Sequence, residues 1–295
     1  MDVSTRAMLV ALKITAWSSS KLDKAVTNEV LDNHNAADKK AGRFTKALIG
    51  KEAMAEIKKV STEARQLHYE LTLPWSQDGS RILPTAMFSK YDGDMKQLKD
   101  KYEAAVRDFL AVYPQEVADA RKRLGALWNE ADYPEASEIE GKFSWEYVFS
   151  PLPNGDDFRL NVSKEMADEL KKQYEDHANS QIKEANKHLW QKAYDAISHM
   201  VTKLDEYGEK ASDKENGRIK TFHSTLVTNI KELAESLPAL NITQDPELER
   251  LSKEMMEHLA EFDAEDLKAD TLVRERVSKS AKKMVKEIND KLGGF

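Results

Sequence analysis

One stretch of this sequence, from Ser163 to about Tyr207, constrains the fold more than any other. Ser163 suits the N-cap of a helix and Glu165 suits its first turn, and apolar residues then recur at steps of three or four. The spacing predicts a single helix roughly 60 Å long, whose stripe must be covered by several other elements or by a second copy of the chain. The stripe consists of Met166, Leu170, Tyr174, Ala178, Ile182, Ala185, Leu189, Ala193, Ile197, Met200, Leu204 and Tyr207.

The composition is that of a soluble, helix-rich protein. The chain has 295 residues, of which 40% are hydrophobic and 33% are charged, enough for one large or two ordinary domains. It contains neither an apolar run near 18 residues nor the pattern of a signal peptide, so we expect no membrane association and a location in the cytoplasm. The absence of cysteine excludes disulfides and thiolate chemistry. A net charge of −7 argues against a broad nucleic-acid surface but leaves local basic contacts open.

Two segments show the alternation of β-strands. The first covers residues 8–17, and the second pairs residues 143–149 with residues 158–162 across the turn PLPNGDD. Together they predict a small three-stranded antiparallel sheet with an aromatic face. Between them lie a weakly patterned basic stretch, a helix over 52–71, a tight loop over 73–84, and two helices over 92–113 and 115–128. We expect these two helices to pack antiparallel.

The remainder of the chain reads as helices. After a polar turn, three further helices are predicted near 217–237, from Asp245–Pro246 to about Leu259, and over 271–292. With the long helix they form an antiparallel bundle. The predicted fold is therefore α+β and predominantly helical, with an α+β domain over 1–162, and the long helix and C-terminal bundle over 163–295.

No catalytic or cofactor signature appears in the sequence. There is no GxxxxGK[ST] loop, no GxGxxG and no GxSxG, and the seven histidines have neither HExxH spacing nor cysteine companions. We therefore predict a protein that is not an enzyme and that uses neither a cofactor nor a metal.

Two sets of residues are candidates for binding. Turns rich in proline, glycine and aromatic residues display binding groups on a rigid scaffold, and these turns supply Trp75, Arg81, Tyr133, Asp157 and Arg159. A nucleic-acid alternative uses basic side chains for phosphates and strand aromatics for base stacking. That second set is Lys39, Lys40, Arg43, Lys46, Trp145 and Tyr147.

Several segments together resemble a family of uncharacterised proteins from phages, plasmids and integrative elements. They are LTLPWSQDGSRILP (71–84), Tyr91, YPQEVADARKRLGALW (113–128), DYP (132–134), PLPNGDDFRL (151–160) and FHSTLVTNIKELAESLPALNITQDPEL (222–248). The resemblance spans roughly residues 60–285. Members of that family are often encoded near a MoxR-type AAA+ ATPase and a von Willebrand A-type protein, or among phage recombination genes. The resemblance implies a mobile-element setting and no mechanism.

The leading functional hypothesis is a non-enzymatic accessory protein of a phage or mobile element. It would act by self-association through a coiled-coil-like helix and by binding a host or phage protein, for which the resemblance suggests an AAA+ ATPase. One alternative is a single-stranded nucleic-acid binding or annealing accessory protein. Another is a counter-defence inhibitor that binds a host immune protein.

Overall fold

The computed structural model describes residues 3–38, 40–76, 79–152, 164–208 and 220–294. Its fold is α+β and predominantly helical, which confirms the predicted class. The strands are β1 (Ala7–Thr15), β2 (Ser20–Leu22), β3 (Thr45–Ala47), β4 (Leu73–Pro74), β5 (Ser80–Pro84) and β6 (Ser144–Pro151). The helices are α1 (Lys24–Asn33), α2 (Ala55–Leu71), α3 (Phe88–Leu124), α4 (Ala136–Glu140), α5 (Lys164–Asp205), α6 (Thr225–Leu240), α7 (Pro246–His258), α8 (Ala264–Ala269) and α9 (Thr271–Leu292).

The chain forms two compact units that are not continuous in sequence. Unit 1 consists of Met1–Ala11, Leu71–Phe88 and Phe149–Phe295, and unit 2 consists of Leu12–Glu70 and Ser89–Val148. The predicted boundary between residues 162 and 163 falls outside the described residues and stays a prediction.

The main sheet has four described strands, in the order β4-β5-β1-β6. β5 runs antiparallel to both β1 and β4, with Ala7 opposite Pro84 and Pro74 opposite Arg81. The three-stranded prediction omitted β4 and β5, and the expected tight loop over 73–84 is instead a short hairpin. Its prolines are tolerated because Pro74 lies on an edge strand and Pro84 at the end of a strand. The expected second hairpin strand, 158–162, lies outside the described residues.

Helix α3 is a single element of 37 residues with Pro114 inside it, so the predicted pair of antiparallel helices is wrong. Proline removes one backbone hydrogen bond from a helix interior. Packing compensates at this point: the Tyr113 ring contacts Trp17 and Phe109, and its hydroxyl donates to the Pro134 carbonyl oxygen at 3.0 Å. Tertiary contacts therefore override the local stop signal.

Unit 2 has a core rich in aromatic residues. Tyr102, Phe109 and Tyr113 of α3 are buried with Ile57 and Val60 of α2. A second, two-stranded sheet pairs β2 with β3 and places Lys21 directly opposite Lys46.

Unit 1 contains a helical bundle in which α5 packs on α9 and α6, and α6 packs on α7. The helix predicted near 217–237 begins later, at Thr225, and continues through Pro238 to Leu240. The predicted start of α7 follows local chemistry. Asp245 caps α7 by accepting a hydrogen bond from the Glu247 backbone N–H at 3.0 Å, with Pro246 in the first turn. α9 spans the predicted 271–292, whereas the short α8 was not predicted. None of the described helices has the length and apolar character that a membrane span requires.

Candidate interaction surface

The two halves of the 42-residue helix α5 differ in how they are covered. Every buried side chain of α5 lies at or after Ala185, and these residues follow the predicted stripe as far as Leu204. In the first half, residues 164–184, the stripe positions Leu170, Ala178 and Ile182 are only half-buried, and Met166 is 58% exposed. The predicted stripe is thus a core seam over its second half and a partly open surface over its first.

The bundle explains the burial of the second half. Helices α6 and α9 pack on α5, and the Trp190 indole N–H donates to Asp245 Oδ2 at 3.3 Å. The Lys291 ammonium lies 5.5 Å from the centre of the same indole ring. This half of the helix is held by apolar packing and by named polar contacts within one chain.

The hairpin of β4 and β5 brings Trp75 and Arg81 to the same corner of unit 1. Trp75 is 7% exposed, and its ring meets the His177 ring of α5 edge-on at 6.3 Å between centroids. Arg81 donates from Nε to Thr72 Oγ1 at 2.7 Å and from Nη2 to the Thr72 carbonyl oxygen at 3.1 Å. Both residues hold the hairpin in place, and Trp75 covers part of α5.

The corner also perturbs a histidine of α5. Desolvation by neighbouring atoms lowers the pKa of His188, and the positive charge of Arg81 lowers it further. The neutral imidazole is therefore favoured at this position.

The other three residues of the first predicted binding set do not lie at this corner. Tyr133 belongs to unit 2, where its ring stacks on Trp128 at 4.2 Å and its hydroxyl donates to the Leu48 carbonyl oxygen at 2.8 Å. Asp157 and Arg159 lie outside the described residues. Of the five predicted residues, the structure thus brings together Trp75 and Arg81.

Lys46 of the nucleic-acid set is placed in the interior of unit 2, not on a solvated basic face. Its side chain is 6% exposed, and its ammonium lies 2.7 Å from Asp132 Oδ2 and 3.1 Å from Asp23 Oδ2. It also donates to the Leu127 carbonyl oxygen at 3.0 Å. The hydrogen bond to Asp132 raises the pKa of Lys46 although its burial opposes this shift. Because the Lys46 ammonium is buried and paired with two carboxylates of the same chain, it is not available to bind phosphates.

Asp132 separates two lysines that the β2–β3 register places opposite each other. Like charges directly opposite in a sheet repel, and Asp132 accepts a hydrogen bond from Lys21 at 2.6 Å and forms an ion pair with Lys46 at 2.7 Å. Burial acts to raise the pKa of Asp132, but the hydrogen bonds from the two lysines lower it below its ordinary value. Sequence reasoning missed this cluster, although the apolar run Ala47–Leu48–Ile49 after Lys46 is a signal of burial.

The remaining members of the nucleic-acid set have different surroundings. Lys40 and Arg43 are exposed, and Lys39 lies outside the described residues. On β6, Trp145 packs on Tyr102 at 5.3 Å between ring centroids. Tyr147 contacts Tyr91 and donates to Asp92 Oδ1 at 3.0 Å. The aromatic side chains of β6 therefore pack on α3 and form part of the core, where they are not presented for base stacking.

Among the described residues, no group of three or more His, Asp or Glu side chains is placed to hold a metal ion.

These features define a mostly helical α+β protein whose candidate surface is half of a long helix. The chain belongs to the family DUF3150, described as a protein of unknown function, whose family model matches residues 5–206. The match includes all of α5 and ends before α6. No curated protein and no solved structure matches the chain.

Proposed function

We propose that this chain is a non-enzymatic accessory protein of a phage or mobile element that acts through self-association. The single observation that carries the proposal is the change of coverage within α5. The apolar side chains between Ala185 and Leu204 are buried by their own chain, whereas residues 164–184 keep half-exposed apolar side chains in the same register. Helices in proteins draw most of their stability from the packing of an amphipathic face.

A second copy of the chain is the partner that the apolar stripe favours. Residues 164–184 contain four lysines and six acidic residues, so lysines of one copy can pair with carboxylates of the other although each segment carries a net charge of −2. A symmetric dimer also requires a self-complementary surface, which a single apolar stripe supplies when two copies lie side by side. The segment spans about 31 Å, long enough for several turns of helix–helix contact.

The test compares two lysine substitutions at adjacent positions. Ala178→Lys places a charge on the stripe, while Asn179→Lys places the same charge on an exposed position next to it. The mass of each full-length protein is measured by light scattering over a hundredfold range of concentration, and circular dichroism checks that both variants remain helical.

Self-association predicts a dimer for the wild type and for Asn179→Lys, and a shift toward monomer for Ala178→Lys. A wild-type protein that stays monomeric at every concentration would overturn the proposal. If added single-stranded DNA instead raises the mass at low salt and the effect disappears at high salt, the nucleic-acid alternative replaces it.

A further inference from the structure

A cleft of about 420 Å³ lies in unit 1 between the second half of α5 and the start of α6. Its apolar floor is formed by Phe222, Leu226 and Ile230, which are all buried. Its polar walls come from α5, from the segment that precedes α6, and from α6 itself. The polar residues on these walls include Asp195, His199, Lys203, Thr221, His223 and Asn229.

The polar side chains of this cleft face the solvent and do not pair with one another. Within the described part of the chain, the side chains of His199, Lys203 and His223 have no hydrogen-bond or ion-pair partner, and neither does that of Asn229. Asp195 is the only carboxylate among the described lining residues, and it already accepts from Gln191 Nε2 at 2.8 Å. Three groups that can carry positive charge therefore converge on one cleft with a single, already engaged carboxylate.

This imbalance specifies the chemistry of a ligand. Lysine has three donors and no acceptor, and both imidazoles and the asparagine amide can also donate. Because these groups are solvated, they can exchange water for an anion rich in acceptor oxygens, and charge-assisted hydrogen bonds to an oxyanion are the strong ones. The first turn of the 16-residue helix α6, which includes Thr225 and Leu226, also lines the cleft and adds a favourable dipole for negative charge.

We propose that this cleft binds the phosphate group of a small molecule through Lys203, His199 and His223. A volume of about 420 Å³ lies within the usual range for small-ligand sites. It accommodates a phosphate together with an organic group of modest size, which the apolar floor contacts. The site does not depend on the self-association of α5.

Calorimetric titration of the full-length protein tests the site with three probes at constant ionic strength: inorganic phosphate, ribose 5-phosphate and ribose. Lys203→Met removes the cation and keeps a side chain of similar length. Lys183→Met is the matched control, because Lys183 lies on the same helix, is exposed and does not line the cleft. Asn229→Leu is a second cleft variant that leaves the charge unchanged.

Saturable binding of a phosphate probe at one site per chain is the expected result. Loss of one charge-assisted contact in Lys203→Met should weaken this binding about tenfold, with little change in Lys183→Met. Tighter binding of ribose 5-phosphate than of inorganic phosphate would identify a phosphorylated small molecule, and equal binding would show that the phosphate alone is recognised.

Three results would overturn the site. These are no saturable binding of either phosphate probe, equal weakening by Lys203→Met and Lys183→Met, and binding of ribose as tight as that of ribose 5-phosphate. Asn229→Leu distinguishes direct contact from a long-range effect of charge. It removes no charge, yet it should also weaken binding if the phosphate probe lies in the cleft.

Discussion

The two units of this protein contain polar clusters of opposite character. In unit 2, Lys46 and Asp132 are 6% and 3% exposed, and each charged group has several partners at 3.1 Å or less. In unit 1, His199, Lys203 and His223 line an open cleft and have no such partner among the described residues. A buried, ion-paired cluster holds a fold together, whereas solvent-facing donors without a protein partner can exchange water for a ligand.

The largest effect in this comparison is expected for Lys46→Met. The substitution keeps the length of the side chain but leaves the carboxylates of Asp132 and Asp23 without the shared ammonium. Breaking a buried ion pair from one side is strongly destabilising, and we expect a loss of about 3 kcal/mol. Hydrogen exchange measured by mass spectrometry on peptides of β2 and β3 reports this loss locally.

Lys40→Met is the matched control, because Lys40 is exposed in the same basic stretch, and its effect should stay within about 0.5 kcal/mol. Similar exchange rates in both variants would show that the unit 2 cluster does not stabilise the fold.

The second prediction concerns acid sensitivity. The pKa of Asp132 is lowered in the folded protein, so its ionised form stabilises the fold above the unfolded pKa of about 3.9, and this contribution is lost as the pH falls through the folded pKa. Asp132→Asn should therefore be less stable than the wild type at neutral pH, with a difference that shrinks below about pH 4. Thermal melts at a series of pH values measure the difference. A stability difference between Asp132→Asn and the wild type that does not change with pH would contradict this coupling between protonation of Asp132 and folding.

A third and smaller effect is expected for Arg274→Ala, which tests a satisfied cation within unit 1. The guanidinium donates to the Leu267 carbonyl oxygen at 2.9 Å and lies 4.7 Å from the centre of the Tyr207 ring. Its removal should cost about 1–2 kcal/mol, because hydrogen bonds from charged donors and cation–π contacts each contribute on this scale. Chemical denaturation measures the change. An unchanged denaturation midpoint would show that the contacts of Arg274 contribute little to the stability of unit 1.

The smallest effect on stability is expected for His199→Ala in the cleft. Because the imidazole has no described partner, its loss should change the free energy of unfolding by less than about 0.5 kcal/mol. Phosphate binding, in contrast, should weaken. A loss of stability comparable to that of Arg274→Ala would instead place His199 among the structural residues and remove the contrast between the clusters.

The sequence alone determined the elements whose signals are local. Strand β1, the long helix α5 and the start of α7 at Asp245–Pro246 follow from periodicity and capping, because a strand or helix imposes its own spacing on its apolar residues. The predominantly helical α+β class followed from these elements.

Tertiary structure decided what local patterns cannot encode. Packing of Tyr113 against Trp17 and Phe109 carries α3 through Pro114, and pairing with β1 makes a strand of a segment that reads as a loop. The burial of Lys46 depends on Asp132, which lies 86 positions away in sequence, and the cleft joins His199 to His223 across two elements. The stripe of α5 is continuous in sequence, but only its packing partners determine which half is core and which half stays open. Periodicity shows that a face is apolar, and the identity of what covers it depends on contacts between residues distant in sequence.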